Sequence, residues 1–373
     1  MDQTRKPIPL ARPRVGGEEL EAVKRVLQSH HLAQGPEVRG LEKEASARLE
    51  GREVVAVSSG GTALFVALAA CDVACNDEVV VPAFTFPAAA HAAALMGAVP
   101  VPAEVDPGTL AVTARTVEAA MTPRTRVVVV AHAFGIPADV EAVVEVARPR
   151  GVLVVEDAAC AFGGRTPGGR PTGTVGDLAC FSLHPRKLVT GGEGGLLVCD
   201  GDRVDLVRAL RDYGRTGSGF GDVFSRIGLN FRLSDLCASV ARVQLTRIDQ
   251  SLACRADLVK RYLLRLRDVP GVSVPTGYSG DGQTWQSFVV RVPGGAGDVV
   301  ERLRARGVEA GPSAYDLTGQ TFFREKWGPA APCPVSAALA RELMALPLFD
   351  EMTPDQVDAV VDGLQDVLEA GKA

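Results

Sequence analysis

Two titratable residues follow apolar runs that are typical of buried strands. Asp157 comes at the end of VLVVED, and Lys187 follows LACFSLHPR thirty positions later. A buried carboxylate is costly without a cation, and a partly desolvated lysine can attack a carbonyl carbon to form a Schiff base. Taken singly, the plainer interpretations are favoured: an ion pair or helix cap for Asp157, and a surface lysine on a loop for Lys187.

The stretch SSGGT, residues 58–62, has the composition of a phosphate-binding turn. An apolar strand ends, glycines remove side-chain bulk, and we expect a helix to begin at about Thr62. Amides at a helix N-terminus lack partners and bind phosphate well. A tight turn with a serine or threonine cap is an equally good interpretation. The stretch matches neither the dinucleotide nor the Walker pattern, which disfavours those two functions.

One chemistry uses all three features. Pyridoxal phosphate needs a phosphate-binding turn, a lysine to hold its aldehyde carbon, and an acid beside its pyridine nitrogen. The acid keeps that nitrogen protonated, so the ring can withdraw electrons from the substrate. An aromatic side chain against the ring fixes its tilt, and FTFP supplies Phe84 and Phe86.

The elements that position these residues alternate along the chain. Short apolar runs, such as EVVVP, RVVVVA and VLVVED, alternate with segments of helical length. This predicts an α/β fold with a mostly parallel sheet between helices, in which ligands bind beyond the carboxyl ends of the strands. We expect a large domain over 1–250, including the N-terminal segment, and a smaller α/β domain over 251–373.

Composition narrows the functional classes. The 40 basic and 45 acidic residues give a formal charge of −5, and the absence of basic stripes argues against nucleic acid and anionic membranes as partners. The start of the chain has no apolar signal-peptide region, and the most apolar stretch is too interrupted to span a membrane. Eight cysteines, mostly in apolar runs, predict free thiols in a cytoplasmic protein. Cys71 and Cys75 lack a nearby histidine or second pair, so we expect no metal site.

The whole sequence resembles the DegT/DnrJ/StrS-type sugar aminotransferases, which are fold-type I pyridoxal-phosphate enzymes of the aspartate aminotransferase superfamily. The similarity is carried by successive segments in order along nearly the whole chain, namely PLARPRVGGEELEAV, HLAQGPEV, VVAVSSGGTAL, DEVVVPAFTFPA, VVEDAACAFGG, ACFSLHPRK, TGGEGGLLV, GLNFRLSDLCASVARVQL and LMALPLFDEMTPDQVDAVVDGL.

The resemblance implies roles for individual residues. Lys187 would be the Schiff-base lysine and proton carrier, Asp157 the partner of the pyridine nitrogen, and Phe86 the ring-stacking residue. Cys160 stands near the 3-oxygen of the cofactor, where a glutamine or histidine is common. A small core residue is an equally good interpretation of that cysteine.

The phosphate site and the subunit arrangement are implied in the same way. Ser182 would join the amides of Gly61 and Thr62 at the cofactor phosphate, and Asn230 would reach the same phosphate from a neighbouring subunit. The implied unit is therefore a homodimer with shared sites. The family usually has GTAAL where this chain has GGTAL, so we expect the backbone amides to matter more than the Thr62 hydroxyl.

The substrate side is less constrained by the sequence. The candidate contacts are Gln34, His132, His184 and Tyr315, and for the two histidines a packing or capping role is equally plausible. Near Tyr315 the run GPSAYDL, like Trp285, differs from the histidine-bearing versions expected in the family.

The implied activity is amino transfer by a ping-pong mechanism. Glutamate, or glutamine, would supply the amine, and the acceptor would be a nucleotide-linked keto-deoxy sugar. A carbocyclic ketone such as an inosose is the alternative acceptor. Two further alternatives are a sugar dehydratase of the same fold, which Lys187 disfavours because those enzymes carry histidine there, and a cofactor-binding regulator without turnover.

Overall fold

The computed structural model describes residues 7–217, 221–292 and 294–371. Residues 1–6, on which the signal-peptide expectation partly rests, lie outside that description. The α-helices are α1 Gly17–Ser29, α2 Pro36–Arg48, α3 Gly60–Ala70, α4 Ala88–Leu95, α5 Ala114–Ala120, α6 Val140–Ala147, α7 Val204–Arg211, α8 Asp235–Thr246, α9 Ile248–Leu266, α10 Gly297–Arg304, α11 Thr321–Trp327, α12 Pro334–Glu342 and α13 Pro354–Ala370. The strands are β1 Glu53–Val57, β2 Glu78–Pro82, β3 Phe84–Thr85, β4 Val99–Ala103, β5 Thr125–Ala131, β6 Leu153–Asp157, β7 Leu178–Ser182, β8 Gly195–Cys199, β9 Arg215–Thr216, β10 Val223–Phe224, β11 Phe288–Arg291, β12 Gly311–Pro312, β13 Tyr315–Asp316 and β14 Leu343–Leu346.

A seven-stranded sheet carries the predicted ligand-binding edge. Its order is β1-β8-β7-β6-β5-β2-β4. The pairs from β4 to β7 are parallel, and β8 runs antiparallel to both of its neighbours. This confirms the predicted mostly parallel α/β architecture.

Helices cover both faces of this sheet, which explains why its strands read as continuous apolar runs. In β5 the residues Val127–Val130 are fully buried, alternating between the cores on the two faces. One core contains α3 and α4, and the other joins α5 and α6 to the C-terminal elements. A third core packs α2 and α8 against β1, β7 and β8.

The C-terminal part has a sheet of its own. Strands β11, β14 and β12 form an antiparallel sheet in that order, and α13 packs against α9. The start of α13 is fixed by a capping box between Thr353 and Gln356. The division at residue 250 stays a prediction, and Ile8, assigned to the large domain, pairs with Val308 of the C-terminal part.

Helices α8 and α9 are separated by a single residue, Arg247, which ends the first and caps the second. Two expectations from composition can also be compared with the structure. All eight cysteines are free, and Cys71, Cys180, Cys199 and Cys333 are buried. Across the described residues, no helix is both long and apolar enough to span a membrane.

Candidate active site

The edge of the sheet beyond β5, β6 and β7 gathers half of the predicted site residues, namely His132, Asp157, Cys160, Ser182, His184 and Lys187. In the parallel register Ala131 pairs with Asp157, and Asp157 with Cys180. Ser182 ends β7, and Lys187 lies five positions further along the loop to β8. Adjacent parallel strands therefore bring the carboxylate and the lysine to one edge, as the sequence predicts.

The helix behind SSGGT begins at Gly60, two positions before the predicted start. Ser59 is the N-cap, and its hydroxyl accepts a hydrogen bond from the Thr62 amide at 3.1 Å. The Thr62 hydroxyl in turn accepts from the Ser59 amide at 2.9 Å. Both polar groups of Thr62 are thus used within the capping box. The amides of Gly60 and Gly61 have no hydrogen-bond partner anywhere in the described chain.

Two glycines allow the first turn of α3 to approach the neighbouring strands. A Cβ on Gly60 would lie 2.9 Å from the Cβ of Ser182, and one on Gly195 would lie 2.4 Å from the Ser59 carbonyl oxygen. Such distances are not tolerated by real side chains. The two bare amides and the Ser182 hydroxyl consequently surround one small space at a helix N-terminus, which suits a phosphate group.

The amine of Lys187 lies at the same edge and meets a thiol. Nζ donates a hydrogen bond to Sγ of Cys160 at 3.1 Å. Both residues are partly buried, which removes some of the water that solvates a surface lysine. The positive charge of Lys187 also acts on Asp157, so the two predicted partners share one electrostatic environment.

The carboxylate of Asp157 has one hydrogen bond and lies near positive charge. Its Oδ1 accepts a hydrogen bond from the Ala159 amide at 3.2 Å. Burial raises the pKa of Asp157, and this effect exceeds the opposing effects of the Ala159 amide, Lys187 and His132. A protonated ring nitrogen beside this carboxylate would offset the cost of burying its charge.

His132 lies directly beneath this edge. Its Nδ1 accepts from the Ala138 amide at 3.0 Å, so the ring proton is on Nε2, which donates to Glu156 at 2.9 Å. The side chain is buried, and neither ring nitrogen is open to a substrate. Its backbone amide donates to the Asp157 carbonyl at 3.1 Å, so the structure places His132 as a support of the Asp157 position.

Glu156 is a buried carboxylate that sequence reasoning missed. Besides His132, its oxygens accept from the amides of Gly173, Val175 and Gly176 at 2.7–2.8 Å. Burial raises its pKa, but the hydrogen bond and electrostatic interaction with His132, together with the Gly176 and Gly173 amides, outweigh burial and leave the pKa lowered. The strand pattern gave one clue, since Glu156 interrupts an otherwise apolar run before Asp157.

The outer wall of the site is aromatic. Phe86 follows β3 and is 66% exposed, and its ring centroid lies 6.3 Å from that of Tyr315 in an edge-to-face arrangement. Strand β13 brings Tyr315 there by pairing with β3. The structure thus unites two residues that are far apart in sequence, and both present surface to solvent.

His184 and Gln34, the remaining candidate substrate contacts, differ in their surroundings. His184 is exposed, and its Nδ1 accepts a hydrogen bond from the Arg186 amide. The partial burial of its ring and the charges of Lys187 and Arg186 lower its pKa, whereas Glu193 opposes this effect. The Oε1 of Gln34 is buried and has no hydrogen-bond partner within the described residues. It is therefore free to accept a hydrogen bond from a ligand.

Asn230 lies in the segment before α8, where its neighbour Phe231 accepts a hydrogen bond from the Ser58 amide at 2.8 Å, at the start of the SSGGT turn. It is exposed, and its Oδ1 accepts from the Arg232 amide at 3.3 Å. Beside it is an exposed apolar surface, which we call the 213–229 surface, formed by Tyr213, Val223, Phe224, Ile227 and Leu229.

These residues fit pyridoxal phosphate. The bare amides of Gly60 and Gly61 with Ser182 would hold its phosphate, Lys187 its reactive carbon, and Asp157 its ring nitrogen. Cys160, which accepts a hydrogen bond from Lys187, would lie near the bound cofactor, and its predicted contact with the 3-oxygen stays a prediction. The predicted placement of Phe86 against the ring and of Asn230 at a neighbouring phosphate stays a prediction.

Comparison with known proteins agrees with this chemistry. The sequence model of the DegT/DnrJ/EryC1/StrS aminotransferase family matches residues 13–365. The aminotransferase TlmJ from Streptoalloteichus hindustanus is 32% identical, with a TM-score of 0.92 and coverage of 98% of this chain and 99% of its own. DesV from S. venezuelae is 31% identical, with a TM-score of 0.89 and coverage of 97% and 98%. Spr1654 from Streptococcus pneumoniae, solved in a PLP form, shares the fold at 24% identity, with a TM-score of 0.91 and coverage of 98% and 99%.

Proposed function

The chain belongs to the DegT/DnrJ/EryC1/StrS aminotransferase family and is a pyridoxal-phosphate-dependent aminotransferase, and on this premise we propose that it aminates the keto group of a nucleotide-linked keto-deoxy sugar. Glutamate or glutamine is the proposed donor. The observation that carries the proposal is the meeting of Lys187, Asp157 and the bare amides of Gly60 and Gly61 at one sheet edge.

The roles follow from the positions of the side chains. When bound, pyridoxal phosphate withdraws electrons from the substrate carbon that loses its proton. Lys187 takes that proton on Nζ and returns it, and Asp157 keeps a proton on the ring nitrogen. In the first half-reaction the donor gives up its amine and leaves as a 2-oxo acid, before the keto sugar enters.

Support for a nucleotide-linked sugar comes from Phe86 and Tyr315, whose exposed aromatic surface suits a sugar ring. We propose Gln34, whose buried Oε1 has no hydrogen-bond partner among the described residues, as the acceptor for a sugar hydroxyl. Arg186, next to Lys187 in the sequence, is exposed. We propose its guanidinium as the partner of a diphosphate.

We propose in addition that the active unit is a homodimer. The 213–229 surface gathers exposed apolar side chains, among them Ile227 at 97% and Phe224 at 66% exposed. A patch of exposed apolar side chains is typical of a protein–protein interface. A second copy covering this surface would bring Asn230 towards the neighbouring phosphate space.

The test of function separates the half-reactions. Purified enzyme loaded with pyridoxal phosphate is mixed with glutamate or glutamine alone, and the 2-oxo acid is counted per chain. We expect one equivalent, followed by amine transfer to one member of a panel of nucleotide-linked keto sugars and cyclitol ketones. Absence of any 2-oxo acid contradicts the aminotransferase proposal, and transfer only to a cyclitol ketone contradicts the sugar substrate.

A further inference from the structure

A short segment of the C-terminal part, residues 284–287, lies against the sheet edge that carries the site. Its backbone is joined to the loop after β5, because the Thr284 amide donates to the Gly135 carbonyl at 3.1 Å and the Ser287 amide donates to the Phe134 carbonyl at 3.2 Å. A Cβ on Gly135 would lie 2.2 Å from the Thr284 hydroxyl, so only glycine permits this approach.

The side chain of Gln286 spans the backbone on both sides of Lys187. Its Nε2 donates to the Arg186 carbonyl, and its Oε1 accepts from the Leu188 amide at 3.2 Å. Gln286 is 7% exposed, so water competes little for these bonds. One amide therefore fixes the two peptide groups that flank the reacting lysine.

Thr284 makes the corresponding contact on the other side of the amine. Its hydroxyl donates to the Cys160 carbonyl at 2.6 Å, and the residue is fully buried. Cys160 is the residue whose thiol accepts from Lys187 Nζ. Thr284 and Gln286, the two ends of the tripeptide 284–286, thus bind the backbone at Cys160 and on both sides of Lys187.

Trp285 and a buried arginine fix the tripeptide itself. Trp285 has φ of +53°, a left-handed conformation that a bulky residue adopts only when its surroundings enforce it. Its ring stacks on Tyr278 with centroids 5.5 Å apart. Arg255 of α9 donates to the carbonyls of Trp285 and Gln286 at 3.2 and 3.3 Å and is paired with Asp350 at 2.7 Å.

We infer that Gln286 is a positioning residue for Lys187, through which the C-terminal part sets the location of the reacting amine. The inference rests on the proposed function, in which Lys187 carries the proton. The lysine stem has four flexible carbons, so a rotation of the two flanking peptide groups moves Nζ further than it moves the backbone. A misplacement of about 1 Å at a reacting group can cost about 100-fold in rate.

The test compares Gln286→Leu, which removes both bonds, with Gln286→Glu, which keeps the shape and the acceptor for Leu188 but loses the donor to Arg186. The matched control is Gln244→Leu. Gln244 is also 7% exposed and makes two 2.7 Å bonds, to the Arg14 carbonyl and to Glu19.

Two readouts use the cofactor-free protein. Hydrogen exchange measures the protection of the peptide that contains Leu188, and trace acetylation across pH, read by mass spectrometry, measures the reactivity of Lys187. In Gln286→Leu we expect faster exchange and a displaced acetylation profile. In the loaded enzyme we expect kcat to fall by about 10- to 100-fold with KM for the donor little changed, and Gln286→Glu to be intermediate.

Each outcome decides the inference. Gln286→Leu with the wild-type acetylation profile and kcat overturns it, as does a loss of kcat in Gln244→Leu equal to that in Gln286→Leu. If Gln286→Leu does not fold, the near-isosteric Gln286→Glu supplies the same comparison. Lys187→Ala is measured in parallel, because full turnover in that variant overturns the proposed function, whereas an inactive Lys187→Ala beside a normal Gln286→Leu overturns only the positioning role.

Discussion

Replacing Gly195 by alanine tests the phosphate space directly. An added Cβ would lie 2.4 Å from the Ser59 carbonyl oxygen and 2.8 Å from the Gly60 nitrogen. Ordinary contact begins at 3.4 Å, so the first turn of α3 has to retreat by about 1 Å. The added Cβ meets backbone atoms of Ser59 and Gly60, so no side-chain rotation relieves the clash.

The cost appears mainly in cofactor binding. In the cofactor-free protein the turn at Ser59 can move away, but binding a phosphate on the amides of Gly60 and Gly61 requires the original position. Overpacking of this kind costs about 1–3 kcal/mol, which corresponds to a dissociation constant about 5- to 150-fold higher. We expect this loss for pyridoxal phosphate and little change for pyridoxal, which has no phosphate.

The assay is equilibrium titration of the cofactor-free protein with each compound, followed by absorbance. Gly201→Ala is the control, since a Cβ on Gly201 has no atom within 4 Å, and it is expected to bind both compounds as the wild type does. Wild-type affinity of Gly195→Ala for pyridoxal phosphate, or an equal loss for pyridoxal, would refute the placement of the phosphate at α3.

Three further predictions concern the carboxylates and the dimer. Asp157→Asn should lower kcat by about 10²–10³-fold, and unchanged turnover would contradict the role of Asp157. The same variant should raise the melting temperature of the cofactor-free protein at neutral pH, because burial raises the pKa of Asp157 and so disfavours its charged form. Glu156→Gln should cost about 2–4 kcal/mol of unfolding free energy, measured by urea denaturation. Because the pKa of Glu156 is lowered from 4.5, its stabilisation is complete above pH 4.5 and is lost as the pH falls through the folded value, so the two proteins should converge in acid; a constant difference would be inconsistent with this. Mixing inactive Lys187→Ala with inactive Asn230→Ala should restore activity if Asn230 serves the neighbouring site, and no recovery after verified subunit exchange argues against shared sites.

The sequence was informative where a residue's position follows from its own strand. Asp157 and Lys187 could be assigned to one edge because parallel strands end together. The bare amides lie one position earlier than predicted, since Ser59 caps the helix and Gly60 rather than Thr62 begins it. The start of a helix depends on which hydroxyl caps it.

Contacts between distant parts of the chain were not predictable. Gln286 is 98 positions from Leu188 and Thr284 is 124 from Cys160, and both act through backbone groups that leave no mark on residue type. Histidine is a residue type that often binds ligands, yet both ring nitrogens of His132 are already hydrogen-bonded, one to the Ala138 amide and the other to Glu156. Only the packed fold shows which polar atoms are already satisfied.

The amine that holds the cofactor can be identified directly. The loaded enzyme is reduced with borohydride, digested, and its peptides are weighed by mass spectrometry. We predict the added pyridoxyl mass on the peptide that contains Lys187, and its loss when glutamate is supplied before reduction. Pyridoxyl on a different lysine, or on none, would show that Lys187 does not hold the cofactor.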